Sequence, residues 1–372
     1  MAEPALTRVV VGMSGGVDSS MAAALLLKQG YDVIGVTLQV WRSGDVETPK
    51  SCCSISAIDD ARRVAYQLGI PHYVLNFRTL FEEKVISYFT ETYFQGETPN
   101  PCLACNRYIK FGELLRKAQG LGADYIATGH YAQIVRDPDS ERFLLYKGAD
   151  ASKDQTYVLY TLTQEQLAHT LFPLAEYQKS QVRAMARDIG LVGVADKPDS
   201  QEICFVPNDD YATFLRERAP ERIVPGNFVD QEGNVLGKHQ GLVYYTVGQR
   251  KGLGITFGRP MFVVGFNFER QEVVLGEGKD VFAPVLWADD LHWIAISGLY
   301  SPLRVEAKVR YKAQPAPAWI YPEGSDGKEV RVEFDSPQRA ATPGQAVVFY
   351  QGNAVIGGGR IISDPRGRRL QI

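Results

Sequence analysis

The sequence predicts an α/β protein with an N-terminal doubly wound parallel sheet, a small β-rich central domain and a C-terminal antiparallel β-barrel. Strand-like and helix-like segments alternate over residues 1 to about 130, and short strands with many turns dominate from about 210. In the last part of the chain, turn signals recur roughly every 8–12 residues, which is typical of a barrel. The expected domains are residues 1–209, 210–282 and 283–372.

The alternating segments follow a clear order. The first strand ends in the β-branched residues 9–11, and the stretch GMSGGVDSS then leads into good helix formers up to Lys28. Further strands are expected at 31–40, 71–77 and 123–130, and helices at 54–69, 78–96 and 109–122. Residues 141–206 are expected to contain a hairpin and two short helices. The barrel strands are expected at 303–311, 328–335 and 345–362.

Gly15 and Gly16 lie between serines where the first strand turns into the first helix. Without β-carbons, their backbone N–H groups can approach a ligand closely, and the positive end of the helix dipole favours phosphate. The loop contains no lysine and does not fit the G-x-x-x-x-G-K-[ST] spacing of the Walker loop, which transfers a terminal phosphoryl group. The sequence therefore predicts a phosphate site of a different kind.

Composition limits the class of protein. The chain has 372 residues, of which 45% are hydrophobic and 22% charged, which indicates two or three folded domains. The start of the sequence does not resemble a signal peptide, and the longest apolar run, residues 21–27, is too short to span a bilayer, so we expect a cytoplasmic protein. Residues 1–210 contain 20 basic and 26 acidic residues, whereas 301–372 contain 11 and 7. The basic tail suits a bound polyanion, although a solvated surface shows the same excess.

Three of the five cysteines are candidates for chemistry. Cys102 and Cys105 lie in TPNPCLACNRYIKF, and Cys204 lies in DSQEICFVPN. A helix expected to begin near Asn106, with basic residues in its first turn, would lower the thiol pKa of Cys105. For Cys204, a purely structural role in the core stays open. Zinc is disfavoured because neither a second C-x-x-C pair nor a nearby histidine pair completes four ligands.

Other polar residues carry weaker signals. His130 follows a strand that is expected to end beside the phosphate site, so it is a candidate functional residue. The stretch GLGITFG superficially matches G-x-G-x-x-G but opens no helix, which excludes a dinucleotide site there. Cys52 and Cys53 precede a helix, and the sequence assigns them no role.

Eight stretches resemble the tRNA-specific 2-thiouridylases, a family of PP-loop ATP pyrophosphatases with an adenine nucleotide alpha-hydrolase-like fold. They are GMSGGVDSS, PNPCLACNRYIKF, ATGHY, SKDQTYVLYTL, KPDSQEICF, HQGLVYYTVGQRKGLGI, VRYK and TPGQAVVFY. The resemblance spans nearly the whole chain and implies ATP-dependent 2-thiolation of the wobble uridine, position 34, of tRNA. The loop would hold the β and γ phosphates as leaving pyrophosphate, so that O2 of the uridine is adenylated and then replaced by sulfur.

The resemblance also implies roles for individual residues. ATP would be bound by Gly12, Met13, Ser14, Gly15, Gly16, Val17, Asp18, Ser19, Leu38 and Gly129. The nucleophile would be Cys105, and the persulfide would be on Cys204. The target base would lie against Asn100, Pro101 and Cys102. The tRNA would contact His130, Lys153, Asp154, Gln155, Arg310, Tyr311 and Gln345.

The implied sulfur transfer needs partners. A persulfide sulfur carrier or a cysteine desulfurase would load Cys204, and attack by Cys105 would release the sulfur and leave a Cys105–Cys204 disulfide. Magnesium would accompany ATP, and the tRNAs for Lys, Glu and Gln would be the substrates. We expect a monomer that does not engage a membrane.

One departure from the family pattern leaves alternatives open. Many members have an aspartate where Cys102 stands, so a role of this position in proton transfer or orientation is in doubt. Cys102, Cys105 and Cys204 could instead hold a [4Fe–4S] cluster with one iron open to sulfide. Another adenylating ligase, such as an argininosuccinate or amide-forming synthetase, would need no thiols. A non-catalytic tRNA-binding or chaperone module would need no intact SGGVDS loop.

Overall fold

A computed structural model describes residues 7–40, 55–199, 203–206, 210–256, 258–324 and 327–364. The chain divides into two compact units. The first comprises residues 1–86, 101–209 and 353–355, and the second comprises 87–100, 210–352 and 356–372. Cys52 and Cys53 lie outside the described residues, as do residues 200–202 of the KPDSQEIC stretch.

Strands and helices alternate through most of the first unit, and the second unit is rich in strands. The strands are β1 (Arg8–Gly12), β2 (Asp32–Gln39), β3 (His72–Asn76), β4 (Tyr125–Ala127), β5 (Ala132–Arg136), β6 (Phe143–Lys147), β7 (Thr170–Leu171), β8 (Gly226–Val229), β9 (Val235–His239), β10 (Phe262–Asn267), β11 (Glu272–Gly276), β12 (Phe282–Trp293), β13 (Leu303–Lys308), β14 (Ala316–Glu323), β15 (Glu329–Arg339), β16 (Ala346–Gln351) and β17 (Ala354–Ile362). The α-helices are α1 (Val17–Lys28), α2 (Ile55–Leu68), α3 (Arg78–Phe81), α4 (Ser87–Phe94), α5 (Pro101–Ala104), α6 (Leu114–Gly120), α7 (Gln164–Ala168), α8 (Lys179–Asp188), α9 (Val192–Ala195) and α10 (Tyr211–Arg218). Two π-helical stretches, Glu82–Ile86 and Cys105–Glu113, join some of these helices. In the part of the chain that the structure describes, every helix is too short or too polar to cross a membrane.

The first unit is built on a five-stranded parallel sheet with the order β3-β2-β1-β4-β7. The valines at 9–11 of β1 are fully buried, as is typical of a central strand covered on both faces. From β1 the chain builds the sheet outward through β2 and β3, and then returns to the other side of β1 with β4 and β7. The carboxyl ends of β1 and β4 therefore flank a topological switch point, where open α/β sheets bind ligands. The predicted parallel sheet is confirmed.

Some helices and strands differ in number or in their bounds from the sequence prediction. The single helix predicted over 78–96 is divided into α3, a π-helical stretch and α4. The helix predicted over 109–122 begins earlier, at Pro101, because proline suits a first helical turn, where its missing N–H needs no partner. The predicted hairpin begins at Ala132 and consists of β5 and β6. After it, the structure has α7, α8 and α9 where the sequence predicts two short helices.

The second unit contains a four-stranded sheet and a closed barrel. The sheet has the order β10-β11-β8-β9, in which β11 and β8 pair in parallel and the other pairs are antiparallel. The barrel is antiparallel with the strand order β12-β15-β14-β13-β16-β17, and pairing of β12 with β17 closes it. Its core includes Ile320, Val332 and Phe349. The predicted β-rich central region and C-terminal barrel are confirmed.

Helix α4 and the segment after it belong to the second unit, although they precede the C-x-x-C motif in the sequence. Tyr93 of α4 stacks on Tyr211 of α10, with ring centroids 4.8 Å apart and 14° between the ring planes. The backbone N–H of Thr98 donates to the carbonyl of Pro343 at 2.8 Å. The segment that leads to Asn100 is therefore attached to the barrel.

Candidate active site

The Gly-rich loop leaves β1 in a conformation that requires glycine. Gly15 has a φ of +69°, and a β-carbon there would lie 2.3 Å from the carbonyl oxygen of Ala57. The backbone N–H of Met13 donates to the carbonyl of Val36 at 2.8 Å, which ties the loop to β2. The path of the loop is thus fixed by the sheet on one side and by α2 on the other.

Ser19 organises the hydrogen bonds inside the loop. Its Oγ accepts from the backbone N–H of Ser14 at 3.1 Å and donates to the carbonyl of Gly16 at 3.1 Å. Gly16 is the N-cap of α1 and has no side chain with which to cap the first turn. The N–H groups of that turn, together with the helix dipole, can therefore receive an anion.

The turn after β4 packs directly against the N-terminus of α1. A β-carbon on Gly129 would lie 2.6 Å from the carbonyl carbon of Asp18 and 2.7 Å from the backbone nitrogen of Ser19. Leu38 is half-buried near the end of β2, where it pairs with Leu75. The residues that the resemblance assigns to ATP thus lie along one edge of the sheet, at the carboxyl ends of β1, β2 and β4.

Asp18, the second residue of α1, is the centre of a polar cluster. Its Oδ1 accepts from the hydroxyl of Tyr131 at 2.7 Å, and its Oδ2 accepts from Nζ of Lys179 at 2.6 Å. Burial, together with the nearby Asp18 carboxylate, raises the pKa of Tyr131, so its hydroxyl stays protonated and donates. Residues far apart in the sequence therefore meet at the N-terminus of α1.

The carboxylate of Asp199 extends this cluster by binding three cations. Nζ of Lys153 lies 2.8 Å from Oδ2, while Nζ of Lys179 and a guanidinium nitrogen of Arg183 lie 3.0 and 2.9 Å from Oδ1. Burial opposes ionisation of Asp199, but hydrogen bonds from Lys153 and Lys179 outweigh it and lower the pKa to about 2. Sequence reasoning missed Lys179 and Arg183, since each is an isolated polar residue outside the recognisable stretches, and it gave no role to Tyr131, the last residue of ATGHY.

Lys153, Asp154 and Gln155 form a turn beside the polar cluster of Asp18 and Asp199. Lys153 binds the carboxylate described above. Asp154 is buried, and its Oδ1 accepts from the backbone N–H and the hydroxyl of Thr156 at 3.0 and 2.7 Å. Oε1 of Gln155 accepts from the backbone N–H of Tyr131 at 3.0 Å, and the backbone N–H of Gln155 donates to the carbonyl of Tyr131 at 3.2 Å. The contacts of these residues with tRNA stay a prediction.

His130 is buried in the first unit. Its Nδ1 lies 2.6 Å from Oγ1 of Thr128, and the rings of Phe111 and Phe172 lie 5.8 and 5.9 Å from its ring. Burial and the charge of Lys110 hold the pKa of His130 well below 6.5, so the ring is neutral at neutral pH. The side chain supports the turn after β4, and its contact with tRNA stays a prediction.

The C-x-x-C segment is helical from its first proline onward. Cys102 is exposed in α5, and Cys105 is half-buried as the first residue of a π-helical stretch. Asn106 beside it is buried, and its Nδ2 donates to the carbonyl of Val158 at 2.8 Å. The helix does not begin near Asn106, as the sequence predicts, but one turn earlier, and the helix dipole therefore acts less on Cys105 than expected.

Cys204 lies in a turn anchored by its neighbour. The buried ring of Phe205 packs edge-on against Phe81, with centroids 5.9 Å apart. Phe81 ends α3, and α3 contacts the π-helical stretch that begins at Cys105. The segments that carry Cys204 and Cys105 therefore share α3 as a neighbour.

The described residues include Cys102, Cys105 and Cys204, so their fit to a metal cluster can be tested. Within those residues, no three side chains of His, Cys, Asp or Glu are grouped as metal ligands. The three thiols in this arrangement do not form the ligand set that a [4Fe–4S] cluster requires.

In the second unit, Gln345 holds the segment that leads to the predicted base site. Its Nε2 donates to the carbonyl of Thr98 at 3.1 Å. Arg310 and Tyr311 are exposed just after β13, and Nζ of Lys308 lies 5.6 Å from the centre of the Tyr311 ring. Exposed aromatic rings among cations suit RNA, because they can stack on bases while the cations meet phosphates.

Family models match the chain in three consecutive parts. The model described as tRNA methyl transferase HUP domain matches residues 7–208. The tRNA methyl transferase PRC-barrel domain matches 212–277, and the Aminomethyltransferase beta-barrel domain matches 284–361.

Curated relatives match almost the whole chain. The tRNA-specific 2-thiouridylase MnmA of Desulfitobacterium hafniense is 64% identical over 363 residues, which cover 96% of this chain and 98% of the relative. The protein of the same name from Acetivibrio thermocellus is 58% identical over 357 residues, covering 95% and 99%. A solved 4-thiouridine synthetase–RNA complex with bound ATP is 18% identical with a TM-score of 0.32 over 58% of this chain and 51% of that chain, a likeness too low to support an argument.

A parallel sheet with a Gly-rich loop at its switch point, matched by a HUP-domain model, defines a nucleotide-binding α/β protein. Its end-to-end similarity to curated relatives defines the family more closely. The chain belongs to the tRNA-specific 2-thiouridylase family, and the resemblance drawn from the sequence motifs is confirmed.

Proposed function

We propose that this protein is an ATP-dependent tRNA uridine 2-sulfurtransferase that converts the wobble uridine, position 34, into 2-thiouridine and releases AMP and pyrophosphate. The observation that carries the proposal is the presence, in one unit, of an uncapped Gly-rich phosphate loop and a helical segment with two cysteines. Family membership supports the same reaction. The loop accounts for the use of ATP, and the cysteines account for the handling of sulfur.

The first step activates the uridine, because its carbonyl oxygen is a poor leaving group. O2 attacks the α-phosphorus of ATP, the bond from this phosphorus to the bridging oxygen breaks, and pyrophosphate leaves with the electron pair. The N–H groups of the Gly-rich loop and of the first turn of α1 stabilise the departing charge. We assign ATP binding to residues 12–19, Leu38 and Gly129, and Mg²⁺ would accompany the phosphates as their counter-ion.

The second step delivers sulfur to C2. The Cys105 thiolate attacks the sulfur of Cys204 that carries the persulfide, and the outer sulfur leaves as hydrosulfide. Hydrosulfide adds to C2, AMP leaves with the former O2, and a Cys105–Cys204 disulfide remains. A dithiol reductant restores both thiols before the next turnover. The shared neighbour α3 supports this pairing, because it brings the two cysteine segments to one helix.

The target base must leave its stack to reach these groups. We assign the flipped base to Asn100, Pro101 and Cys102. The remaining tRNA contacts are assigned to His130, Lys153, Asp154, Gln155, Arg310, Tyr311 and Gln345. Attachment of the segment before Asn100 to the barrel supports this assignment, since tRNA held by the barrel would also position that segment.

The finer assignments rest on the family resemblance. A [4Fe–4S] cluster on Cys102, Cys105 and Cys204 would be an alternative route for sulfur. The arrangement of these three thiols does not fit such a cluster, so we propose the persulfide route. We propose the tRNAs for Lys, Glu and Gln as substrates and a persulfide carrier or cysteine desulfurase as the sulfur donor. We further propose a cytoplasmic monomer with domain boundaries near residues 209 and 282.

The test is nucleoside mass spectrometry. Unmodified tRNA is incubated with the protein, ATP and a persulfide donor, and 2-thiouridine and AMP are quantified together. The proposal predicts equal amounts of both products with the wild type, and no 2-thiouridine with Cys105→Ser. Wild-type protein that consumes ATP without forming 2-thiouridine would contradict the proposed function.

A further inference from the structure

The Gly-rich loop binds phosphate groups in the proposed reaction, yet it has no lysine of its own. The loop amides and the dipole of α1 supply only partial charges. The triphosphate of ATP and the departing pyrophosphate carry several negative charges. The sheet and helix around the site screen these charges less than water does. Besides the Mg²⁺ that would accompany ATP, a full cation supplied by the protein is therefore expected near the N-terminus of α1, and since the loop has no lysine it would come from another part of the chain.

Lys179 provides a cation at this position. Its Nζ lies 2.6 Å from Oδ2 of Asp18, which belongs to the first turn of α1. The residue is only 8% exposed, so its ammonium is held in the cluster and not in bulk water. Its backbone N–H donates to Oδ2 of Asp150 at 2.9 Å, which fixes the start of α8.

Two further cations lie beside Lys179. Asp199 binds Lys179 together with Lys153 and Arg183, so three cations share one carboxylate. Against these three cations stand the carboxylates of Asp18, Asp150 and Asp199, so the cluster is balanced in charge, and a phosphate would bind by replacing Asp18 as a partner of the ammonium. Because these side chains are partly buried, solvent screens their charges less than those of a surface ion pair.

We propose that Lys179 is the phosphate-binding cation of this site: its ammonium binds oxygens of the β and γ phosphates of ATP and stabilises the leaving pyrophosphate, and Asp199 is the residue that positions it. The inference rests on the proposed function, whose ATP site it completes. Lys179 takes the part that the lysine of a Walker loop plays, but it comes from α8 and not from the loop.

The chemistry requires no proton transfer by Lys179. On ATP binding, the ammonium exchanges its contact with Asp18 for a phosphate oxygen and keeps its contact with Asp199. When the α-phosphorus–oxygen bond breaks, the electron pair goes to pyrophosphate, and the fixed positive charge stabilises the oxygen that receives it. The group acts as an electrostatic stabiliser in both the bound and the departing state.

The decisive experiment compares three ligands with the full chain. Equilibrium dialysis measures the Kd of ATP, pyrophosphate and AMP for the wild type, Lys179→Met and Lys179→Arg. For Lys179→Met, we expect ATP and pyrophosphate to bind about 10- to 100-fold more weakly, as for loss of a charged hydrogen bond, whereas AMP binding stays the same. Lys179→Arg should restore most of the loss, because it restores the charge.

Control variants separate phosphate binding from structural damage. Lys28→Met, at the exposed far end of α1, should bind all three ligands like the wild type. Asp199→Asn should weaken ATP binding less than Lys179→Met does and leave AMP unchanged. Equal weakening of AMP and ATP by Lys179→Met, or failure of that variant to fold while Lys179→Arg binds like the wild type, would reduce Lys179 to a structural role and overturn the inference.

A double variant excludes a simpler explanation. Loss of Lys179 also exposes the Asp18 carboxylate, which could repel phosphate by itself. In Asp18→Asn/Lys179→Met this repulsion is gone, and we expect pyrophosphate binding to stay weak; recovery to the wild-type Kd would overturn the inference. The proposed function fails separately, if the wild-type protein forms no 2-thiouridine while these Kd values still depend on Lys179.

Discussion

A β-carbon on Gly129 would lie 2.7 Å from the backbone nitrogen of Ser19, so the turn after β4 touches the phosphate loop without space for any side chain. Gly129→Ala should therefore push the two apart and displace the first-turn N–H groups of α1. We expect a loss of stability of about 1–3 kcal/mol and a higher Kd for ATP, measured by thermal melting and equilibrium dialysis.

Gly193→Ala is the matched control, because a β-carbon at Gly193 in α9 would meet no atom within 4 Å. Alanine there should preserve ATP binding and leave stability equal or slightly higher. The same ATP Kd in Gly129→Ala and in the wild type would contradict the assigned position of the ATP site.

The hydrogen bond from Gln345 to the carbonyl of Thr98 predicts a second effect, on the segment before the base site. Gln345→Ala should loosen this segment and slow thiolation about fivefold, equivalent to about 1 kcal/mol, with ATP affinity unchanged. Gln351→Ala is the control, since Gln351 makes a similar bond to the carbonyl of Arg304 elsewhere on the barrel. Equal rates for the two variants would remove the proposed role of this bond.

The cysteines allow the two sulfur routes to be separated. Cys105→Ser and Cys204→Ser should each abolish 2-thiouridine but preserve tRNA-dependent release of pyrophosphate. Cys102→Ser should only slow the reaction, because this thiol has no required step. Equal loss of activity in all three variants, together with loss of protein-bound iron in each, would instead support a cluster.

The barrel contact with tRNA predicts a change in salt dependence. Arg310→Ala should remove one phosphate contact and lower the slope of log Kd against log salt by about 1. Arg304→Ala is the control on the same barrel, since its guanidinium is already paired with Asp335. A slope in Arg310→Ala equal to that of the wild type would contradict the assigned contact.

Burial of His130 predicts a dependence of stability on pH. Because its pKa in the folded protein lies well below 6.5, the unfolded chain binds the extra proton more readily. The free energy of unfolding should therefore fall as pH drops through about 6.5. His130→Gln should show a smaller fall in Tm between about pH 7.5 and 5.5, although His72 and His239, whose pKa values are also lowered by burial, keep part of the effect. The same fall in Tm in His130→Gln and in the wild type would contradict a contribution of His130 to the pH dependence of stability.

Local patterns in the sequence were sufficient for the parallel sheet and the phosphate loop. The position of Gly15 can be recognised in the sequence, because its positive φ and its close approach to α2 both exclude side chains and therefore require a glycine in the loop. The sequence places the start of the helix around Cys105 too late, near Asn106, since Pro101 can either end a loop or begin a helix. The ion pair of Lys179 with Asp18 spans 161 positions and exists only after α8 returns to the sheet, so no local pattern indicates it. For the same reason, the sequence does not reveal that α4 packs with the second unit.

The central claim is that O2 of the uridine attacks the α-phosphorus of ATP. It can be tested with tRNA in which O2 of the wobble uridine is labelled with ¹⁸O. After thiolation, mass spectrometry of the released nucleotide should find the heavy oxygen in AMP and none in pyrophosphate. Formation of 2-thiouridine with unlabelled AMP would contradict adenylation at O2, and with it the role given to the phosphate loop.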